Sequence, residues 1–348
     1  MTDLSSIPLS VLELAEIPSG GTPEQALRAT LEVAKLVDRL GYHRIWLAEH
    51  HNMSGIASSA PVITIGQVAA HTERIRVGSG GVLLTNHAPL VVAEQFGTLA
   101  AFHPGRIDLG IGRAPGADAT TSRALHRPPE AASPVFFPRQ FDELLALLSE
   151  KAQDQQSLAG ITAIPGRGCK VPVWLLGSSD ISARVAGQRG LPFAFAGHFD
   201  ASKIEPALDV YRSTFRPSEA LAEPCAMVCV SVVCAEDGEQ AHRLTAPSAL
   251  VQLRLRRGGT ATFPHPDEAA AFPWSQEDRA LVEPWTRSQV VGTPDHVRDE
   301  LAALVHRSGA DELMVTTMTY DLADRLRSFE LLAGALQLSG NPLSTTAN

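Results

Sequence analysis

The sequence predicts an α/β fold, a closed (β/α)8 TIM barrel formed by a single domain of 348 residues. Three observations predict it. Strand-length apolar runs alternate with segments of helical period about eight times along the chain. Several of those runs are apolar on both faces, as parallel strands covered on each side require. Polar and glycine-rich residues gather at one end of the runs, where a barrel places its chemistry. A doubly wound open sheet is the competing arrangement, and the eightfold alternation disfavours it.

The strand candidates span 9–14, 44–48, 75–84, 106–112, 171–176, 193–196, 225–234 and 312–317. Between the first two, Thr22, Pro23 and Gln25 supply an N-cap, a proline at the first helical position and a capping-box partner. Leu27, Leu31, Ala34 and Val37 then mark one helix face, and Gly41 ends the helix. Val92, Phe96 and Leu99 form a stripe after the third strand. Thr293 and Pro294 open a helix carrying Val297, Leu301 and Leu304, and Leu322, Leu326, Phe329 and Leu336 face inward near the end.

Two stretches break this rhythm. Residues 114–138 follow the fourth strand and 246–285, with five prolines and two tryptophans, follow the seventh. Long βα insertions lie at the catalytic end of a barrel, so both are expected to border the site. The second is expected to act as a lid over about residues 246–288. Its basic run, Arg254, Arg256 and Arg257, reads as a solvated helix face or as a contact for an anionic ligand.

A formal charge of -9 argues against a nucleic-acid binder, which would present a basic face. The start of the chain lacks the basic and apolar blocks of a secretory signal, and no apolar run approaches the roughly 20 residues of a membrane span. The cysteines, Cys169, Cys225, Cys229 and Cys234, form no C-x-x-C pair and read as small apolar residues of a reducing cytoplasm.

Function is sought where the strands end. Those positions hold Glu13, then Glu49-His50-His51, Gly80-Gly81, Gly112-Arg113, Gly177-Ser178-Ser179 and Gly197-His198. Glu49, His50 and His51 could ligate a metal, but adjacent histidines in an extended segment point to opposite faces and no Cys or Asp completes a set. A catalytic or cofactor contact is the preferred reading, since a histidine in an apolar pocket titrates near neutrality. Gly78, Gly80 and Gly81 interrupt an Ile/Val/Leu strand, which either a bulge or a flat ligand against the backbone would explain. Gly110, Gly112 and Gly116 have the wrong spacing for a dinucleotide fingerprint, and Pro115 is misplaced for its helix. Arg113 is better read as an anion clamp. The serines from Ser178 to Ser182 join a strand to a helix and suit a phosphate or simple N-capping.

At this point the sequence resembles the bacterial luciferase-like monooxygenases, nearest their single-gene subgroup. The resemblance rests on 41–51 (GYHRIWLAEHH), 77–84 (VGSGGVLL), 93–96 (AEQF), 104–113 (PGRIDLGIGR) and 188–192 (QRGLP), in order and at the expected separations. It implies reduced FMN as cosubstrate, supplied by a separate NAD(P)H:flavin reductase, with O2 forming a C4a-hydroperoxide that oxidises an aldehyde or another organic substrate. It implies that His50 is the base and Glu49 its acidic neighbour. Gly80 and Gly81 would form a non-prolyl cis peptide against the isoalloxazine. Arg113, Ser179 and Ser182 would contact the phosphate, with Ser178 contributing its amide. Gly112 stands where the luminescent enzyme has a cysteine, so light emission is not expected. A homodimer packing the second and third barrel helices is also implied. The alternatives are an F420-dependent oxidoreductase on the same scaffold and a flavin-binding protein without turnover.

Overall fold

The computed structural model describes residues 4–113, 119–126, 135–150, 158–259 and 262–338. β1 (Leu9–Glu13) leads into α1 (Pro23–Leu40), and β2 (Arg44–Leu47) into α2 (Pro61–Ala70). β3 (Arg76–Ser79) and β4 (Val82–Leu83) precede α3 (Pro89–Phe102), and β5 (Ile107–Gly112) precedes α4 (Ala119–Ala124) and α5 (Phe136–Leu148). β6 (Val173–Gly177) is followed by α6 (Asp180–Arg189), and β7 (Phe193–Ala196) by α7 (Ile204–Thr214). After β8 (Ala226–Cys234) come α8 (Gly238–Arg256), α9 (Pro266–Ala271) and α10 (Gln276–Arg287). A short β9 (Gln289–Gly292), α11 (Pro294–Ser308), β10 (Glu312–Thr316) and α12 (Leu322–Ala335) complete the described chain.

The strands pair in parallel in the order β10-β1-β2-β3-β5-β6-β7-β8, and β8 pairs again with β10. The sheet therefore closes into an eight-stranded barrel, as the alternation predicts. β9 is an addition that the sequence reading lacks. It pairs with the C-terminal part of β8, from Ser231 to Cys234, and at four residues is too short to show a pattern.

Local chemistry accounts for the first unit. Thr22 Oγ1 accepts from the Gln25 N–H at 3.2 Å while Gln25 Oε1 accepts from the Thr22 N–H at 2.9 Å, and Gly41 closes α1 at φ 87°. The buried stripe is Ala26, Thr30, Val33, Ala34 and Val37. Leu27, expected on it, lies one position off and is 38% exposed.

The third strand candidate, 75–84, is split at its glycines into β3 and β4. Gly78 sits opposite Asp108 and Val82 opposite Ile111, so four steps on one strand match three on the other, a bulge. The Ser79 hydroxyl occupies the gap, donating to Gly110 O at 2.9 Å and accepting from the Gly110 N–H at 3.0 Å. A Cβ at Gly78 would lie 2.6 Å from Asp108 O, so close strand approach requires the glycine.

Side chains fill the barrel interior. Leu12, Trp46, Trp174, Ala194, Met227, Cys229 and Met314 form one buried cluster. At the N-terminal ends of the strands Arg44 donates to Asp108 and to Glu312, each at 2.7 Å, and its guanidinium lies 5.0 Å from the Trp174 ring centroid. Arg76 also reaches Asp108. Burial alone would raise the Asp108 carboxyl, but Arg44 and Arg76 hold it below the usual range. A polar plug thus closes the floor.

The insertion after β8 is helical. α8 begins at Gly238, eight residues before the expected lid, and continues through Pro247. Leu250 and Leu253 of α8 pack with Ala269 of α9 and Val282 of α10. Arg254 pairs with Glu268 and Arg257 with Asp278, so two members of the basic run fasten these helices to one another. Of the other insertion, 114–118 and 127–134 lie outside the described residues, and α5 begins within its expected span. No helix among the described residues is long and apolar enough to cross a membrane. All four cysteines are free, and burial raises each thiol.

Candidate active site

A cavity of about 480 Å3 occupies the C-terminal end of the barrel. Glu49, His50, Gly80, Gly81, Gly112, Arg113, Ser178, Ser179 and Ser182, all singled out from the sequence, line it together. They come from the ends of β2, β3, β5 and β6 and the start of α6. Below them lie Leu12, Trp46, Ala194 and Met314 of the barrel interior. Val251, Leu255, Phe263 and Trp285 of the helical insertion contribute to the wall. The lining is predominantly apolar, as ligand cavities are.

At the end of β2, Glu49 is 3% exposed and makes three contacts. His51 Nε2 lies at 2.9 Å and His87 Nε2 at 2.8 Å from Oε1, and the Leu83 N–H donates to Oε2 at 3.1 Å. Burial alone would raise its carboxyl; the hydrogen bonds from His87, His51 and Leu83 bring it below the usual value. An ionised carboxylate only accepts, so both histidines carry their proton on Nε2. The sequence reading missed His87. Its place at the βα turn after the third strand, beside Asn86, is the signal that could have marked it.

His50 turns away from this cluster, as alternation predicts for adjacent histidines. Its Nδ1 is buried and lacks a hydrogen-bond partner among the described residues, and the residue lines the cavity. Burial lowers the imidazole pKa against the pull of Glu49, so the ring is neutral at pH 7. His198, named at its strand end without a role, also lines the cavity. Burial, with His50 nearby, pushes its imidazole down to about 4.

The peptide joining Gly80 to Gly81 is cis. A Cβ at Gly80 would lie 2.6 Å from Leu12 Cδ1, and one at Gly81 would lie 2.8 Å from Gly110 O. Neither glycine has room for a Cβ, so the wall here is backbone pressed against the barrel interior.

The opposite end is polar. Arg113 is exposed at the end of β5 and is the only cationic side chain among the described residues lining the cavity. Ser179 holds the N-cap position of α6 but makes no side-chain capping bond. Ser182 Oγ instead donates to Ser179 O at 2.8 Å. The first-turn amides of α6 thus lack a side-chain cap, and simple N-capping does not explain these serines. Gly177 packs directly beneath Ser182, leaving no room for a Cβ.

Glu16 was also missed. It lines the cavity and accepts from Arg325 at 2.7 Å, with Glu13 on the same guanidinium at 3.2 Å. Burial raises the Glu16 carboxyl to about 7. Among the described residues, no group of three His, Cys, Asp or Glu side chains is placed to hold a metal ion.

A closed barrel thus gathers a neutral histidine, two glycines without room for a Cβ and a cationic, serine-bearing stretch around one cavity at its C-terminal strand ends, where barrel enzymes carry their chemistry. Residues 7–312 match the luciferase-like monooxygenase family, and the chain belongs to that family. It is similar to a luciferase-like monooxygenase of Escherichia coli, 44% identical over 95% of this chain and 97% of the other. It is also similar to the solved structure of apo-MsnO8, at 40% identity and a TM-score of 0.87, covering 96% of this chain and 99% of that one. The fold alone is shared with two more distant structures. One is the oxygenating constituent of a Pseudomonas putida 3,6-diketocamphane monooxygenase in complex with FMN, at 20% identity and a TM-score of 0.71. The other is an F420-dependent secondary alcohol dehydrogenase, at 13% identity and a TM-score of 0.67.

Proposed function

We propose that this protein is a two-component flavin-dependent monooxygenase that uses reduced FMN and O2 to oxidise an aldehyde or another organic substrate. The observation that carries the reading is a single cavity lined by the Gly80–Gly81 backbone, the neutral His50 and the cationic Arg113 with the serines that open α6. The residues fit the cofactor. Arg113, Ser179, Ser182 and the amides of the α6 first turn, Ser178 included, would hold its phosphate. The Gly80–Gly81 backbone and Gly112 would lie against its ring. Reduced FMN, delivered by a separate NAD(P)H:flavin reductase, supplies the electrons with which one atom of O2 enters the substrate and the other becomes water.

The chain's own groups do the rest. The apolar walls exclude bulk water from the reacting centre. His50 accepts a proton at Nε2, and the neutral ring at pH 7 makes it competent to do so. Glu49 acts at one remove, fixing His51, His87 and the Leu83 amide around the histidine loop. The helical insertion, residues 246–288 included, acts as the lid. Ile63 and Val91, at 70% and 44% exposure, and Phe102, at 76%, leave apolar side chains open on α2 and α3, which supports a homodimer through these helices. Four free cysteines suit a cytoplasmic setting.

Anaerobic titration with reduced FMN and with reduced F420, followed by turnover under 18O2 on a panel of aldehydes, ketones and thioethers, tests the reading. Binding of reduced FMN and one labelled oxygen in a product are expected. Preference for reduced F420 would reassign the protein as an F420-dependent oxidoreductase, and FMN binding without any product would make it a flavin-binding protein.

A further inference from the structure

Two acids line the described cavity wall, Glu16 and Glu49, and only Glu16 has an oxygen to spare. Glu49 is saturated by His51, His87 and the Leu83 amide. Glu16 is 7% exposed and receives one bond from another residue, Arg325 Nη1 to Oε2 at 2.7 Å. Its Oε1 takes no bond from another described residue. That oxygen is not among the fully enclosed orphan atoms of the protein, so it keeps surface open to the cavity.

The backbone is built to hold Glu16 in this place. Ala15, just before it, sits in the left-handed region at φ 56°, a costly conformation for a residue with a Cβ. The residues on either side are tied outward. The Ala57 N–H donates to Ala15 O at 2.9 Å, the Ile17 N–H to Gly55 O at 2.8 Å, and the Phe263 N–H to Ile17 O at 2.9 Å. The loop after β1 is thus clamped between the segment that follows β2 and the helical insertion.

Charge around Glu16 is out of balance. The Arg325 guanidinium serves two carboxylates, Glu16 at 2.7 Å and Glu13 at 3.2 Å. Glu13 is better supplied, since it also accepts from the Thr30 hydroxyl and the Ala15 N–H, each at 3.0 Å. Two buried anions on one cation leave a positive charge missing. In the empty cavity a proton supplies it: burial, with Glu13 close by, outweighs Arg325 and raises the Glu16 carboxyl to about 7. A cationic group on a ligand can replace that proton. Such a group enters an apolar cavity at great cost unless a carboxylate meets it. The other ionisable groups lining the cavity are His50 and His198, which burial keeps uncharged near neutral pH, the occupied Glu49, and Arg113.

We infer that Glu16 is a specificity residue that binds a protonated amine on an otherwise apolar substrate, the ammonium donating to Oε1. Leu14, Met53, Ile56, Phe263 and Met318 supply apolar wall for the rest of the molecule. The inference rests on the monooxygenase reading in calling this ligand the substrate.

The test uses the full-length protein, with and without FMN, and three probes of one skeleton: phenethylamine, phenethyl alcohol and ethylbenzene. Affinities are measured by calorimetry at pH 8 and pH 6 for the wild type and Glu16→Gln. At pH 8 the wild type is expected to favour the amine over both other probes by about tenfold or more. At pH 6 a proton competes for Glu16, so amine affinity should fall about tenfold and binding should release a proton to the buffer. Glu16→Gln should lose the preference, the proton release and the pH dependence while FMN affinity stays within about twofold. Thermal melts establish folding, and Glu16→Met replaces Glu16→Gln if the latter does not melt cooperatively. Equal binding of the amine and the alcohol, or an amine preference that survives in the folded variant, overturns the inference. If FMN fails to bind the wild type, the monooxygenase reading falls, and the amine measurements on the unloaded protein still decide whether Glu16 holds the cation.

Discussion

His87 Nε2 lies 2.8 Å from Glu49 Oε1, joining the loop after β2 to the turn before α3 across 38 residues of sequence. With His51 and the Leu83 amide on the same carboxylate, Glu49 couples the histidine loop to the strand segment that follows the cis Gly80–Gly81 peptide.

Removing that carboxylate leaves two imidazoles and an amide without their acceptor. Glu49→Ala is expected to cost about 1–3 kcal/mol of stability, read by denaturant unfolding, and to weaken FMN binding. Acid should act in the same direction. The folded pKa values of Glu49 and Asp108 are depressed. Their stabilisation is therefore full above the unfolded carboxylate values of about 4 and is lost as the pH falls through the folded ones. Melting curves from pH 7 down to pH 3 should show the loss beginning near pH 4, with a shallower decline in Glu49→Gln.

His50 gives a kinetic expectation. His50→Ala should lower turnover by about a hundredfold or more while FMN affinity is retained. Because burial lowers the folded pKa of this imidazole, the acid limb of the rate profile should fall below the ordinary histidine value of about 6.5. An acid limb above that value in the wild type would contradict the assignment of His50 as proton acceptor.

On the proposed reading, Arg113 holds the phosphate and the glycine backbone the ring, so the two can be tested apart. Arg113→Ala is expected to weaken FMN about 10- to 100-fold while changing riboflavin affinity little, since one charge-assisted contact is lost and the glycine wall remains. Fluorescence titration with both flavins reads the difference.

The apolar surface of α2 and α3 predicts association. Sedimentation should show a dimer, and Phe102→Glu, which places a charge on a side chain 76% exposed in the isolated chain, should yield monomers.

Much of this was legible in the sequence because each level of structure repeats its own signature. The capping box at Thr22 and Gln25 and the αL Gly41 are local, and they appear as read. Clustering of Glu49, His50, Gly80 and Arg113 was legible because a barrel gathers its strand ends, so one topological expectation places three distant loops together. His87, Glu16 and Arg325 were not legible, because their significance comes from partners far away in the chain: 38 residues separate His87 from Glu49, and 309 separate Arg325 from Glu16. The bulge was one of two readings open for the glycines of the third strand; what the sequence did not show is that the Ser79 hydroxyl fills the gap by exchanging hydrogen bonds with Gly110. β9 and the early start of α8 were missed because four residues carry no period and Pro247 reads as a helix breaker.

The plug of Arg44, Asp108 and Glu312, with Trp46 and Trp174 packed edge to face beside it, makes the barrel a cul-de-sac. A ligand in the cavity above it has no passage through the barrel axis to the N-terminal end, so the sealed floor sets how deep anything bound there can sink.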